Sequence, residues 1–281
     1  MPRIAILTDS SAYLPPDILE RYHISIIPLK VHWGEETLLD GIDIIPVEFY
    51  DRLATSSTLP TTSQPSMHDF LQVFDGLASR YEGILVPLIS SGISGTVTSA
   101  LAAVAEFKKV PVEVVDTHST STGLALVVLA AARAVEQGRS LPEVAQIARE
   151  VVQKLHLFFA VDTLKYLHKG GRIGGASRYL GSALSIKPIL FFDEEGKIDA
   201  LERVRTRQKA LNRLVELVEE KAGNKPIHVG VCHANASEEA ANFRTHLAAR
   251  LNCDEILIVE LSPVIGTHVG PGTIGLALYV E

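Results

Sequence analysis

The stretch GILVPLIS, residues 83–90, indicates the fold class together with the segments on either side of it. Its apolar residues follow one another without alternation, which is typical of a parallel strand buried on both faces. The segments RIAILTD, ISIIPL and VPVEVVDT repeat this pattern, and VTSALAAVAEF and other segments with helical spacing lie between them. Such alternation of strands and helices predicts a parallel sheet with helices on both faces.

The pattern changes near residue 155. KPILFF and IDALERV are predicted strands, and the turn at residues 193–196 favours an antiparallel hairpin between them. LFFAVD, IHVGVCH and EILIVEL are further predicted strands, with helices predicted at about 207–222 and 237–251. We therefore predict an α/β protein with an N-terminal parallel-sheet domain (1–155) and a C-terminal α+β domain (156–281) whose sheet is largely antiparallel.

Composition limits the possible functions. The 281 residues carry a net charge of −7, which argues against a general nucleic-acid-binding protein. Cys232 and Cys253 are the only cysteines and form no CxxC pair, so neither a zinc finger nor a disulfide framework is expected. The N-terminal residues lack the pattern of a signal peptide, and no apolar stretch is long enough for a membrane span. These features predict a cytoplasmic protein.

The segment GISGT, residues 92–96, is one residue short of the GxSxG nucleophile elbow and follows a predicted strand. A serine nucleophile at Ser94 would need a histidine base, and His268 in the glycine-rich segment IGTHVGPGT, interpreted as a loop, could supply it. No acid stands out near His268. The alternative interpretation is that Ser94 caps the helix that starts near Gly95.

The segment GPGTIG, residues 270–275, matches the GxGxxG dinucleotide-binding pattern letter for letter. That pattern requires a following helix and a second strand, and the chain ends too soon for both. We therefore interpret the glycines as a turn that requires positive φ angles.

Basic residues cluster in two stretches of an otherwise acidic sequence. LKYLHKGGRI contains Lys165, Lys169 and Arg172, and a second stretch contains Arg203, Arg205, Arg207, Lys209 and Arg213. The second cluster is either a solvated helix face or, with the first, a docking surface for an acidic or phosphate-bearing partner.

Six segments in order resemble the DegV family, the fatty acid-binding proteins of bacteria: TSQPS, SSGISGT, LKYLHKGGRIG, IKPIL, RVRTRQKAL and GTHVGPGTIG. Each segment alone is weakly specific, but six in one order are strongly specific. They span both halves of the chain. The departures are Val97, where a tyrosine is expected, and Ala125, where a further glycine is expected.

The resemblance implies a protein that holds one long-chain fatty acid in a buried tunnel and catalyses nothing itself. It would deliver the acid to an ATP-dependent fatty acid kinase and carry the acyl phosphate toward phospholipid synthesis, with transient contact to a membrane or an acyltransferase. Thr62 and Ser94 would bind the carboxylate and His268 would complete that site. Arg172 and Arg205 match positions expected to face the kinase. No cofactor or metal is implied.

Two other classes of function stay open. One is a serine hydrolase that acts on lipid esters through Ser94 and His268. The other is a sensor that binds an amphipathic metabolite without any kinase partner.

Overall fold

The first half of the chain alternates strands with helices in the computed structural model, which describes residues 3–181 and 186–281. Its elements are β1 (Ile4–Asp9), α1 (Pro16–Tyr22), β2 (Ile24–Ile27), β3 (Lys30–Trp33), β4 (Glu36–Leu39), α2 (Pro46–Thr55), β5 (Thr61–Ser63), α3 (Met67–Ala78), β6 (Gly83–Leu88), α4 (Thr96–Glu106), β7 (Val112–Asp116), α5 (Ser121–Glu136) and α6 (Leu141–Lys154).

Four of these strands form a parallel sheet in the order β2-β1-β6-β7. Successive residues of β1 point to opposite faces of the sheet. Ile4 and Ile6 pack against α1, α5 and α6, whereas Ala5 and Leu7 pack against α3 and α4. The structure thus confirms the predicted parallel sheet with helices on both faces.

The helices begin where their capping residues place them. The Ser66 hydroxyl accepts a hydrogen bond from the Asp69 amide, and the Asp69 carboxylate accepts one from the Ser66 amide. This reciprocal pair satisfies two amide groups that have no acceptor within the helix. The Glu143 carboxylate likewise accepts from the Ser140 amide at the start of α6.

A three-stranded antiparallel sheet in the order β4-β3-β5 was not predicted from the sequence. Gly34, with φ of +65°, makes the tight turn between β3 and β4. Val31 and Trp33 are buried and alternate with partly exposed residues along β3. In this sheet Val31 is paired with Thr62 on β5, so the sheet fixes the position of Thr62.

The second half of the chain forms the other main sheet. Its elements are β8 (His156–Ala160), α7 (Lys165–Lys169), a 3-10 helix (Gly174–Tyr179), β9 (Lys187–Phe192), β10 (Ile198–Val204), α8 (Arg207–Ala222), β11 (Ile227–His233), α9 (Ser237–Arg250), β12 (Cys253–Glu260), α10 (Pro263–Val269) and β13 (Ile274–Val280).

Six of these strands form a sheet in the order β10-β9-β8-β13-β11-β12, in which only the β11–β12 pair is parallel. The largely antiparallel C-terminal sheet and the β9–β10 hairpin are confirmed. The Asp193 carboxylate fixes the hairpin turn because it accepts hydrogen bonds from the amides of Glu195 and Lys197.

Helix α5 lies between the two main sheets. It is buried along most of its length, and its residues share one hydrophobic cluster with Leu85 of the first sheet and with Leu257 and Ala277 of the second. Its many alanines allow close approach on both sides. The predicted domain boundary at residue 155 falls between α6 and β8 and stays a prediction. None of the described helices is both long and apolar enough to cross a membrane.

Candidate functional site

A cavity lies beside the loops that follow the parallel strands, with α10 forming part of its wall. Including the part that opens to solvent, the space between its lining residues is about 740 Å³. The wall is mostly apolar and includes Ile89, Leu157, Phe159, Leu261 and Ile265. Among the described residues, no aspartate or glutamate lines the cavity.

Thr62 and His268, which are 206 residues apart in the chain, meet at the cavity wall. The Thr62 Oγ1 atom lies 2.7 Å from His268 Nε2. Thr62 is held by its place on β5, and His268 lies in the last turn of α10. The structure therefore brings together two of the three predicted carboxylate-binding residues.

The interpretation of the segment around His268 as a loop was wrong, because residues Pro263–Val269 form α10. Ser262 caps this helix by accepting from the Ile265 amide, and Pro263 occupies the first turn. Gly266 lies inside the helix, where a Cβ atom would come within 2.6 Å of the Tyr50 hydroxyl. A glycine is thus needed at this position because of close packing, and not because of backbone flexibility. Gly270 and Gly272 have positive φ angles, as predicted for the turn that follows.

Ser94 lies on the same cavity wall, in the loop before α4. Gly95 packs against the side chain of Gln64, so that the segments TSQPS and SSGISGT touch. The Ser94 hydroxyl lies 2.8 Å from the Thr96 hydroxyl and accepts a longer hydrogen bond from the Thr96 amide, at 3.3 Å. Ser94 therefore supports the first turn of α4 and also contributes a hydroxyl to the cavity.

Arg172 also lines the cavity. Its guanidinium group donates to the Ile93 carbonyl at 3.2 Å and to the Gly170 carbonyl at 2.8 Å. These bonds hold a half-buried positive charge next to the residue that precedes Ser94. The predicted kinase-facing role of Arg172 stays a prediction, but the structure places this residue at the cavity.

Burial and the positive charge of Arg172 lower the pKa of His268 to about 4. The imidazole is therefore neutral near pH 7 and offers one N–H donor and one acceptor nitrogen. Its Nδ1 atom is buried and has no hydrogen-bond partner among the described residues. His268 thus acts as a neutral polar group, and Arg172 carries the positive charge of the site.

Arg205 lies away from these residues, in the exposed segment between β10 and α8. Two other members of the basic cluster are neutralised, since Arg207 pairs with Glu239 and Arg213 pairs with Glu202. In the described part of the chain, Arg205 has no such ion pair. Arg207 and Arg213 therefore serve the fold, whereas Arg205, like Arg203 and Lys209, is an exposed charge without an ion pair among the described residues.

The arrangement does not assemble a serine hydrolase site. Within the described residues, His268 contacts Thr62 and not Ser94, and no carboxylate orients its Nδ1 atom. A serine nucleophile needs a hydrogen-bonded base that is itself oriented by a third group. The geometry instead offers hydroxyl, imidazole and guanidinium groups that could bind a small anion.

Gly170→Ala is expected to displace the His268 ring, because a Cβ atom at this position would lie 2.3 Å from His268 Nδ1. The displaced ring would gain contact with water, so its pKa should rise from about 4 toward the ordinary value of 6.5. Titration of the imidazole by NMR measures this change. Gly76→Ala is the control, since a Cβ atom there meets nothing within 4 Å. A pKa that stays near 4 in Gly170→Ala would contradict the geometry.

Comparison with known proteins identifies the family of the chain. Residues 3–281 match the family model described as "Uncharacterised protein, DegV family". The curated protein DegV of Bacillus subtilis is 36% identical over 275 residues, covering 97% of this chain and 98% of that protein.

Solved structures are similar over nearly the whole chain. A DegV family protein from Thermus thermophilus, described as binding fatty acid, has a TM-score of 0.93 and 36% identity, covering 99% of this chain and 100% of that one. DegV from Bacillus subtilis, described as a fatty acid binding protein, has a TM-score of 0.92 and 34% identity, with full coverage of both chains. Because the family model spans nearly every residue and these relatives match at full length, the chain belongs to the DegV family.

Proposed function

We propose that this protein binds one long-chain fatty acid in the cavity and presents its carboxylate to an ATP-dependent fatty acid kinase. The observation that carries the proposal is the composition of the wall, which is apolar except for a few polar groups and contains no acid among its described residues. The relatives described as fatty acid binding proteins support the same ligand class.

Four side chains would bind the carboxylate. The hydroxyls of Thr62 and Ser94 and the neutral imidazole of His268 can donate hydrogen bonds, and Arg172 supplies the opposite charge. Amide groups at the start of α4, beside Ser94, favour a negative group as well. A buried carboxylate needs such a partner because an unpaired charge in an apolar cavity is strongly disfavoured.

The tail would supply most of the affinity. Burial of one CH₂ group contributes about 0.8 kcal/mol, so roughly fifteen of them give on the order of 12 kcal/mol before the costs of association. A charge-assisted hydrogen bond contributes only about 1.5–3 kcal/mol. The polar groups would therefore mainly fix the orientation of the ligand.

In the proposed reaction, a carboxylate oxygen attacks the γ-phosphorus of ATP held by the kinase, and ADP leaves. The product is an acyl phosphate, which this protein would carry toward phospholipid synthesis. The chain needs no cofactor for this role. The same donors suit both ligands, because carboxylate and acyl phosphate each present anionic oxygens at one end of an apolar chain.

Arg205→Glu should slow phosphorylation of the bound fatty acid by several-fold, and most strongly at low salt, because exposed charges mainly steer the encounter between partners. The measurement is the rate of acyl phosphate formation with a bacterial fatty acid kinase and ATP. Arg80→Glu is the matched control, since Arg80 is also exposed but lies in the turn that follows α3.

Fatty acid affinity should be the same in both variants, which separates docking from ligand binding. Equal rates for wild type, Arg205→Glu and Arg80→Glu would contradict the docking role of Arg205. If the wild-type protein binds fatty acid but yields no acyl phosphate with kinase and ATP, the carrier role fails and the sensor alternative is favoured.

A further inference from the structure

A second group of polar side chains lies in the cavity wall, at the start of α5. Ser119, Thr120, Ser121 and Thr122 are at most 6% exposed. The hydroxyls of Ser119 and Thr120 have no hydrogen-bond partner among the described residues, whereas those of Ser121 and Thr122 lie against the Cys232 thiol. Thr120 and Ser121 line the same cavity as Thr62 and Ser94.

These hydroxyls are not used by the helix itself. Thr120 is the N-cap of the 16-residue helix α5, but its side chain makes no capping hydrogen bond. The amide groups of the first helical turn also lack acceptors within the helix. A buried hydroxyl without a partner lowers stability, so the Thr120 hydroxyl in the cavity wall, beside that of Ser121, indicates a group that the cavity binds there.

The surroundings of Thr120 and Ser121 suit a neutral group. Near pH 7, Arg172 is the one charged side chain among the described residues of the wall, and the carbonyls of Ile93 and Gly170 hold it. Burial raises the pKa of the nearby Cys232 thiol to about 11, which leaves this group uncharged. A carboxylate would therefore bind beside Arg172, which leaves the hydroxyls at the start of α5 for a second oxygen of the ligand.

We propose that Thr120 and Ser121 form a second subsite, which binds a hydroxyl group on the acyl chain, so that the cavity accepts hydroxylated fatty acids. A ligand hydroxyl can donate to one side-chain oxygen and accept from another, which suits the hydroxyls of two adjacent residues. The positive end of the α5 dipole adds to the attraction for its oxygen. This inference rests on the proposed function, since the carboxylate fixes where along the chain the subsite falls.

The test compares a saturated long-chain fatty acid with acids of the same length that carry one hydroxyl at successive carbons, by titration calorimetry. At most positions the hydroxyl should weaken binding about tenfold or more, because it loses water without gaining a partner. At one position this loss should vanish. Thr120→Val and Ser121→Ala should each restore about a tenfold loss for that acid alone.

The unsubstituted acid should bind both variants at least as tightly as wild type. Thr8→Val is the matched control, because its hydroxyl is also buried without a partner among the described residues but does not line the cavity. Thermal melting identifies any variant that fails to fold, and the remaining variant then decides the result.

Equal losses at every hydroxyl position would overturn the subsite and leave the proposed function intact. The same conclusion follows if both variants weaken hydroxylated and unsubstituted acids alike. If wild type binds no fatty acid of either kind, the proposed function itself fails. Unweakened binding of the acid that carries its hydroxyl at one position, with loss of that affinity in Thr120→Val, would support the subsite.

Discussion

Arg172→Met is expected to weaken fatty acid binding by about 2–3 kcal/mol, roughly 30- to 150-fold, because the bound carboxylate would lose its only cationic partner on the described cavity wall. The neutral hydroxyls of Thr62 and Ser94 would remain, and so would the imidazole of His268. Removal of one partner of a buried charge is costly, since the other charge stays in an apolar environment. Titration calorimetry near pH 7 with a saturated fatty acid measures the effect.

The matched control is Arg205→Met, which changes the net charge equally but lies on the surface. It should retain wild-type affinity. Because Arg172 also bonds the carbonyls of Ile93 and Gly170, both variants need a thermal melt to show that the loop before Ser94 is intact. Wild-type affinity in a folded Arg172→Met protein would place the carboxylate elsewhere and leave the kinase-facing role as the remaining interpretation of Arg172.

The second large effect is expected from Leu261→Trp, which would fill part of the cavity. Leu261 is 2% exposed and lies in the wall. An indole ring there would exclude several CH₂ groups of the tail, and loss of about four of them corresponds to roughly 3 kcal/mol, more than 100-fold in affinity. The larger ring should also lower the free energy of unfolding by about 1–3 kcal/mol.

Leu101→Trp makes the same change at a residue that is 53% exposed and outside the cavity. Its affinity and lipid content should equal those of wild type. If Leu261→Trp folds and still binds a long-chain acid as wild type does, the tail does not lie along this wall.

The sequence predicted the parts of the fold that depend on local pattern. Strands β1 and β6 are dominated by continuous apolar runs, and the turn at residues 193–196 marks the β9–β10 hairpin. The antiparallel sheet that carries Thr62 was missed because its strands have only three or four residues, too few for a clear alternation. Its clearest signal was the alternation of Val31 and Trp33 on either side of His32.

The residues of the candidate site were predicted from the resemblance. Their arrangement in space depends on long-range contacts that no local pattern reveals. Thr62 and His268 are 206 residues apart in the chain. Tertiary packing makes residues Pro263–Val269 a helix although they include a glycine. Burial, which depends on the complete fold, makes His268 neutral near pH 7. The place of Arg172 at the cavity likewise depends on its hydrogen bond to the distant residue Ile93.

The central claim is that the cavity holds a fatty acid, and native mass spectrometry of the purified protein tests it most directly. Protein from cells grown with fatty acids should carry one long-chain fatty acid per chain, because an apolar cavity of this kind is unfavourable for water. Leu261→Trp, prepared in parallel, should carry little or none. Wild-type protein that arrives without fatty acid, and takes up none when it is added, would contradict the account.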